Sequence, residues 1–148
     1  MDRNAQDRVI ATVVSAFISD PVERWLWRDA SQYLTHFPTF VAAFGSAAFD
    51  ADTVCTLEGF AAVALWIPPG AAADGDRIVV DAPRQDAGLG GRLLARGLAR
   101  VDADHLPAYL ETPNPRTVPF YERHGFEVVG TSQAGECPPM TSMLRAAR

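Results

Sequence analysis

The stretch from Val80 to Leu94, which reads VDAPRQDAGLGGRLL, decides the fold. A short β-branched run ending at Val80 leads into a loop, and from Gly88 onward leucines recur at the spacing of an amphipathic helix. Backbone amides at the start of a helix bind anions, helped by the helix dipole, and glycine lets the backbone approach a phosphate closely. The stretch therefore predicts a strand, a phosphate-binding loop and a helix, in that order.

Two common nucleotide-binding motifs do not fit this loop. A dinucleotide-binding fingerprint needs G-x-G-x-x-G, whereas the glycines here follow G-x-G-G from Gly88 to Gly91. A P-loop needs a lysine followed by serine or threonine, and no lysine lies near the loop. An unrelated nucleotide-binding domain is therefore the weakest of the interpretations considered.

The chain before the loop predicts helices followed by a hairpin. Asp20 and Pro21 are typical of an N-cap and a first helical position, and Pro38 is expected to interrupt an aromatic-rich helix. A turn is expected around Glu58 and Gly59. The elements predicted here are helices over 6–18, from Pro21 through Leu26 with Ala30 as the furthest residue, and over 33–49, and strands over 53–57 and 59–67.

The chain after the loop start predicts two helices and three strands. Pro107 and Pro113 bound one strand, and Gly125 suits the left-handed conformation that ends a helix. The elements predicted here are a helix from Gly88, a strand over 108–112, a helix over 118–123 and strands over 126–129 and 140–144. The order predicts one α/β (α+β) domain over 1–148, with a mixed central sheet that is antiparallel early and has a parallel crossover later.

Bulk properties exclude several functions. The net charge of −5 argues against nucleic-acid binding, which favours basic surfaces. The longest wholly apolar run, 60–67, is far shorter than the roughly 20 residues of a membrane helix, and the polar N-terminus shows no secretory signal. Cys55 and Cys137 lie far apart, with no clustered metal ligands beside them. We expect a cytoplasmic protein with no metal and with no membrane or nucleic-acid partner.

Two motifs resemble those of the GNAT superfamily of acetyltransferases. Gln85-x-x-Gly88-x-Gly90 resembles the family's Q/R-x-x-G-x-G/A pyrophosphate loop. The segment NPRTVPFYERHGF, from Asn114 to Phe126, is similar to the family's N-x-x-A-x-x-F-Y-x-x-x-G-F. Together the motifs cover roughly residues 78–130, and their wording looks like that of puromycin N-acetyltransferase-like members from actinobacteria.

The resemblance implies a GNAT-type fold, acetyl-CoA as cosubstrate and a small primary amine as acceptor. Acyl transfer from a thioester needs a neutral amine, a stabilised oxyanion and a protonated leaving thiolate. A tyrosine, with a pKa near 10, can give its proton to the sulfur, and Tyr121 has the family's position for this acid. The residues that the resemblance implies for cofactor binding are Val80, Gln85, Asp86, Ala87, Gly88, Leu89, Gly90, Gly91, Asn114 and Tyr121.

Several side chains keep two interpretations. Tyr121 is either the acid or an aromatic at the edge of the core. Asn114 either binds the pantetheine arm or forms an Asx turn before Pro115. Glu111 is either a base that takes the amine proton through water or a glutamate that faces solvent.

The remaining candidates are given no role in the chemistry. His105 and His124 are expected at the surface near helix ends. Four aromatic residues either line an acceptor pocket or, as is more usual for such a stripe, belong to the core. They are Trp25, Trp27, Tyr33 and Phe37.

The sequence departs from the family in two places that affect function. Asp86 stands where the family usually has glycine, and a carboxylate beside a pyrophosphate is unfavourable unless it points away. Residues 70–80 must supply both a flexible linker, over 70–76, and the strand before the loop. We therefore expect a truncated strand of at most about five residues ending at Val80. The N-terminal helices, the loop over 70–76 or a second subunit could cover the wall it leaves open, and we favour the second subunit. The alternative function is a degenerate member that binds or senses CoA with little turnover.

Overall fold

A computed structural model of the chain describes residues 1–68, 70, 78–81 and 88–148, and of residues 78–81 it describes the backbone alone. The helices are α1 (Arg3–Ala16), α2 (Pro21–Leu26), α3 (Ala30–Phe44), α4 (Ser46–Asp50), α5 (Leu89–Ala103) and α6 (Val118–Glu122), with 3₁₀ turns at Phe17–Ser19 and Pro115–Thr117. The strands are β1 (Val54–Leu57), β2 (Ala62–Trp66), β3 (Ile78–Asp81), β4 (Ala108–Thr112), β5 (Glu127–Ser132) and β6 (Met140–Arg145).

The strands form two three-stranded sheets. The first has the order β1-β2-β3, with Ala64 opposite Val80, and the second has the order β4-β6-β5, with Glu111 opposite Ser142. Every pairing between the described strands is antiparallel. Strands β3 and β4 are in contact, but no hydrogen-bonded ladder joins them within the described residues. The predicted crossover is thus a strand, a helix and a strand without the expected parallel pair.

Strand β2 lies at the centre of the core because both of its faces are buried. Ala62, Ala64 and Trp66 pack with the leucines of α5, whereas Val63 and Leu65 pack with α1 and α3. Side chains alternate along a strand, so these two sets point to opposite faces of the sheet. Helices therefore cover the first sheet on both faces, with α5 on one and α1 with α3 on the other.

A buried ion pair joins α5 to the second sheet. The guanidinium of Arg145, which is 3% exposed, donates to both carboxylate oxygens of Asp102, at 2.6 and 2.9 Å. Its Nε also donates to the carbonyl oxygen of His124, at 3.2 Å. These bonds hold the pKa of Asp102 below its ordinary value. They also fix the end of α6 relative to α5, which matters for the site described below.

Helix α3 runs through Pro38, so the predicted interruption there is wrong. Proline removes the hydrogen bond to the carbonyl of Leu34, which lies on the solvent side and is 56% exposed. On the opposite side, Tyr33, Phe37 and Val41 are buried at helical spacing. Burial of that face outweighs the missing hydrogen bond, and the helix ends only at Gly45.

The strand before the loop is β3, with four described residues ending at Asp81 rather than at Val80. Pro69 and residues 71–77 and 82–87 lie outside the described part of the chain. The predicted linker over 70–76 therefore also lies outside it, except for Gly70. The truncation of this strand therefore stays a prediction. No helix among the described residues is long and apolar enough to cross a membrane.

Candidate active site

Helix α5 begins at Gly88, whose φ of +67° is the left-handed conformation that glycine adopts without strain. No side chain caps this helix start within the described residues, although most helices of this length begin with a polar cap. A Cβ built on Gly88 meets no atom within 4 Å. Among the described residues, no atom therefore crowds Gly88 at the start of α5, as close approach of a phosphate requires.

The predicted cofactor residues fall on either side of this helix start. Val80 lies in β3 opposite Ala64. Leu89 is buried in the core, while Gly90 and Gly91 form the first turn of α5. Three further predicted residues lie outside the described part of the chain, namely Gln85, Asp86 and Ala87.

The second predicted motif forms a tight turn followed by α6. Asn114 Oδ1 accepts a hydrogen bond from the amide of Arg116, at 3.1 Å, which is the Asx turn offered as one of its two interpretations. Gly125, with φ of +88°, ends α6, and the amide of Phe126 returns to the carbonyl of Tyr121 at 3.2 Å. Tyr121 is half-buried, with its ring against Phe126 at a centroid distance of 5.9 Å.

The start of α5 lies beside α6. A Cβ built on Gly91 would be 3.6 Å from Nε2 of His124 and 3.9 Å from the ring of Phe120. Phe120 is in turn in edge contact with Tyr121, at a centroid distance of 5.1 Å. The predicted phosphate-binding turn and the predicted acid are thus close neighbours, joined through the side chains of α6.

Tyr121 lines a cavity of about 370 Å³, a size typical of small-molecule sites. The cavity lies between the N-terminal helices and the end of β4. Glu111, Asn114 and Tyr121 line it together, whereas Gly88–Gly91 do not. Glu111 is half-buried and accepts a hydrogen bond from Tyr109 Oη at 2.8 Å, so it does not merely face solvent.

The cavity lining also includes two carboxylates that sequence reasoning did not include in the site. Asp20, expected only as an N-cap, does cap α2 by accepting from the amide of Val22 at 2.9 Å, and it also lines the cavity. Burial raises the pKa of Asp20, with hydrogen bonds from the backbone partly opposing the rise. Burial, with repulsion from Asp20 as a smaller cause, raises the pKa of Glu23 to about 7.

The signal for Glu23 in the sequence points elsewhere. A glutamate three residues after an N-cap aspartate suggests helix capping, and nothing in the local pattern places it in a cavity with Tyr121. The association exists only in the folded chain, where residues of α2 line the same cavity as residues of β4, which is distant in the sequence.

The remaining candidates lie as expected or close to it. His105 is exposed and its Nδ1 lies 2.8 Å from the carbonyl oxygen of Arg148. His124 is half-buried with Nδ1 2.9 Å from the carbonyl oxygen of Phe120.

Phe37 belongs to the core and also lines the cavity. Among the other three aromatics, Tyr33 is buried, Trp27 is half-buried against the core and Trp25 is 38% exposed. The described residues contain no group of three side chains able to hold a metal ion.

Known structures share this architecture. One from Corynebacterium glutamicum, described as histone acetyltransferase HPA2 and related acetyltransferase, matches with a TM-score of 0.74 at 21% identity, covering 100% of this chain and 94% of its own. The protein PH1933 from Pyrococcus horikoshii matches with a TM-score of 0.67 at 17% identity, with the same coverage of 100% and 94%. An acyl-CoA N-acyltransferase from Pseudomonas aeruginosa matches with a TM-score of 0.50 at 24% identity, over 63% of this chain and 66% of its own.

These matches and the helix-flanked antiparallel sheets define the fold of the acyl-CoA N-acyltransferases. The family model described as an acetyltransferase (GNAT) domain matches residues 38–128, more than half of the chain. The protein therefore belongs to the GNAT acetyltransferase family, whose members use acetyl-CoA or another acyl-CoA.

Proposed function

We propose that this enzyme transfers the acetyl group of acetyl-CoA to a primary amine of a small molecule. The observation that carries the proposal is the cavity that Tyr121 shares with three carboxylates, those of Asp20, Glu23 and Glu111. No arginine, lysine or histidine is among the described residues that line it. An acidic cavity of this size suits an acceptor that arrives as an ammonium ion.

The helix start of α5 fits the pyrophosphate of CoA. Within the described part of the chain, no side chain caps its first turn and no atom crowds Gly88, which would let phosphate oxygens reach backbone amides. We propose residues 85–91 and Val80 as the cofactor contacts. Of these, residues 85–87 lie outside the described part of the chain. Asn114 would hold the turn that carries α6 and, in the same place, border the pantetheine arm.

Tyr121 is proposed as the general acid. Attack of the amine on the thioester carbonyl breaks the carbon–sulfur bond, and the leaving sulfur needs a proton. A phenol with an ordinary pKa near 10 holds its proton at neutral pH and can deliver it to a thiolate. The packing of Tyr121 against Phe120 and Phe126 fixes its ring at the cavity wall.

The decisive experiment measures release of free thiol from acetyl-CoA with a panel of primary amines. The wild-type enzyme should release thiol only with an acceptor present. Tyr121→Phe keeps the ring packing, and we expect it to lower kcat by about 10²–10⁴ while the Kd for acetyl-CoA stays nearly unchanged. Unchanged turnover in Tyr121→Phe would reduce this residue to a packing role.

The same assay distinguishes the enzyme from a degenerate, CoA-binding member of the family. Such a module would bind acetyl-CoA, and so gain thermal stability from it, without releasing thiol for any amine. A histone-tail peptide belongs in the panel, because the Corynebacterium glutamicum neighbour is described as a histone acetyltransferase. The cavity volume favours a small molecule over the peptide.

Three finer expectations from the sequence are kept as part of this proposal. They are the likeness to puromycin N-acetyltransferase-like members, the cytoplasmic location and the homodimer. The homodimer is supported by exposed apolar side chains on α2 and α3, among them Leu26 and Leu34, which are 51% and 56% exposed. Light scattering at tens of micromolar tests it, and a clean monomer would contradict it.

A further inference from the structure

Glu23 is a buried glutamate whose position helix capping does not explain. It is 9% exposed, and its Oε2 accepts no hydrogen bond from the described residues. A glutamate in the third position of a helix usually accepts from the amide of the N-cap residue. Here the amide of Asp20 donates to the carbonyl oxygen of Phe17 instead, at 3.0 Å. The carboxylate of Glu23 therefore does not cap the helix, and Glu23 lines the cavity instead.

No described residue that lines the cavity beside Glu23 carries a positive charge. The other titratable residues that line the cavity in the described chain are Asp20, Glu111 and Tyr121. Arg24, the next residue in α2, is half-buried and does not line the cavity; it donates to the carbonyl oxygen of Arg28 at 2.8 Å, and its guanidinium lies 5.8 Å from the centre of the Tyr33 ring. A buried carboxylate with an unused oxygen, in a cavity whose described lining has no positive charge, suits a ligand that brings both positive charge and N–H donors.

The rest of the cavity suits an apolar body attached to that charge. Phe37, Phe40 and Phe44 follow one another along α3 with nearly parallel rings, at centroid distances of 5.8 and 5.7 Å, and all three line the cavity. Leu26 extends the apolar wall on the side of α2. A flat or branched hydrocarbon group would contact these side chains while its amine reached Glu23.

We propose that Glu23 binds the ammonium group of the acceptor and takes a proton from it, in a cavity that selects a primary amine carried on an apolar body. The proposal rests on the acetyl transfer proposed above. The ammonium loses one proton to Glu23 and becomes nucleophilic. Its nitrogen then bonds to the acetyl carbon as the carbon–sulfur bond breaks. Tyr121 protonates the sulfur and recovers a proton from the same nitrogen, and Glu23 releases its proton to solvent.

The kinetic test compares Glu23→Gln with the exposed control Glu127→Gln, using 2-phenylethylamine as acceptor. We expect kcat/KM of the wild type and the control to rise with pH through a midpoint near 7 and then level off, because Glu23 must be ionised. Glu23→Gln should lose about 10²–10³ of kcat/KM above that midpoint, and the midpoint itself should disappear. Glu23→Asp, which keeps the charge on a shorter side chain, should keep a midpoint at a reduced rate.

The binding test separates this proposal from the proposed activity. Calorimetry with 2-phenylethylamine should show an affinity about ten- to hundredfold weaker in Glu23→Gln than in the wild type. The hydrophilic spermidine should bind the wild type more weakly than 2-phenylethylamine does. Equal amine affinity in both proteins, or a pH midpoint that persists in Glu23→Gln and vanishes in Glu111→Gln, would overturn the role of Glu23. Amine binding that depends on Glu23 without any thiol release would instead refute acetyl transfer.

Discussion

The buried carboxyl of Glu23 should make the stability of this protein depend on pH in a defined direction. Its pKa rises from 4.5 to about 7 in the folded chain, chiefly because burial disfavours the charged form. Between these values the unfolded chain has lost the proton while the folded protein keeps it. The folded state then binds more protons, so the free energy of unfolding falls as pH rises. The contribution is fully present below about pH 4.5 and is lost as pH rises through about 7.

The size of the effect follows from the size of the shift. A change of this extent corresponds to about 3 kcal/mol, at roughly 1.4 kcal/mol for each pKa unit. Access of water to the cavity would reduce it, so we expect about 2–3 kcal/mol. Glu23→Gln removes the charge and keeps the shape. The stability advantage of the variant over the wild type should grow by about 2–3 kcal/mol between about pH 5 and about pH 8.

Urea denaturation followed by tryptophan fluorescence measures this difference directly. The quantity of interest is the stability of Glu23→Gln minus that of the wild type, at intervals from about pH 5 to about pH 8. Subtraction cancels the titration of groups that do not interact with Glu23. Glu127→Gln, at an exposed position in β5, should show no such change. Wild type and Glu23→Gln curves that stay parallel across this range would refute the claim that the carboxylate is buried without compensation.

Two glycine substitutions test other parts of the structure. Gly88→Val should abolish acetyl-CoA binding in calorimetry and lower the free energy of unfolding by about 1–2 kcal/mol, because a branched residue is strained at positive φ. Gly135 is also at positive φ with open space around it, so Gly135→Val should lower stability equally without affecting binding. Retained acetyl-CoA binding in Gly88→Val would place the phosphates elsewhere. Gly97→Ala should destabilise by about 1–3 kcal/mol, because its Cβ would overlap the indole of Trp66. Gly91→Ala, with only ordinary contacts, is the control, and equal unfolding midpoints for the two alanine variants would contradict the packing of α5 on β2.

The framework of the fold could be read from residues with strong local preferences. Asp20 caps α2 as expected, and Gly125 adopts the left-handed conformation that ends α6. The strand predicted over 108–112 has those bounds in the structure. Each of these elements is set by a proline, a glycine or a capping side chain within a few residues, so the sequence alone contains the cause.

Elements whose bounds depend on contacts between distant parts of the chain were harder to predict from the sequence. The predicted strand over 59–67 begins only at Ala62, because Glu58, Gly59 and Phe60 all have positive φ. Helix α1 holds this turn: Arg8 donates to the carbonyl oxygen of Gly59 at 2.8 Å, and its guanidinium lies 4.1 Å from the centre of the Phe60 ring. Neither contact can be predicted from residues 58–61 alone, because both come from Arg8, about fifty residues earlier in the chain.

The candidate site divides in the same way. Tyr121 and Asn114 could be predicted because their motif is contiguous, whereas Glu23 comes from a helix that lines the same cavity only in the folded chain. A glutamate beside an N-cap is read locally as part of the cap. The structure shows that the N-cap amide already has a partner, and this is what separates Glu23 from a helix-capping role.

The burial that makes Glu23 costly to the fold is also what would make it useful as a base. In water a glutamate is a poor base for an ammonium ion, because its pKa lies far below that of the amine. Burial beside Asp20 brings the pKa of Glu23 to about 7, near the pH at which proton transfer is most effective. Local rules are expected to fail where function requires it, at a cost in stability. Glu23→Gln should therefore be at once the more stable protein and the slower enzyme. A variant that gained stability and kept its rate would show that the buried charge serves neither acceptor binding nor proton transfer.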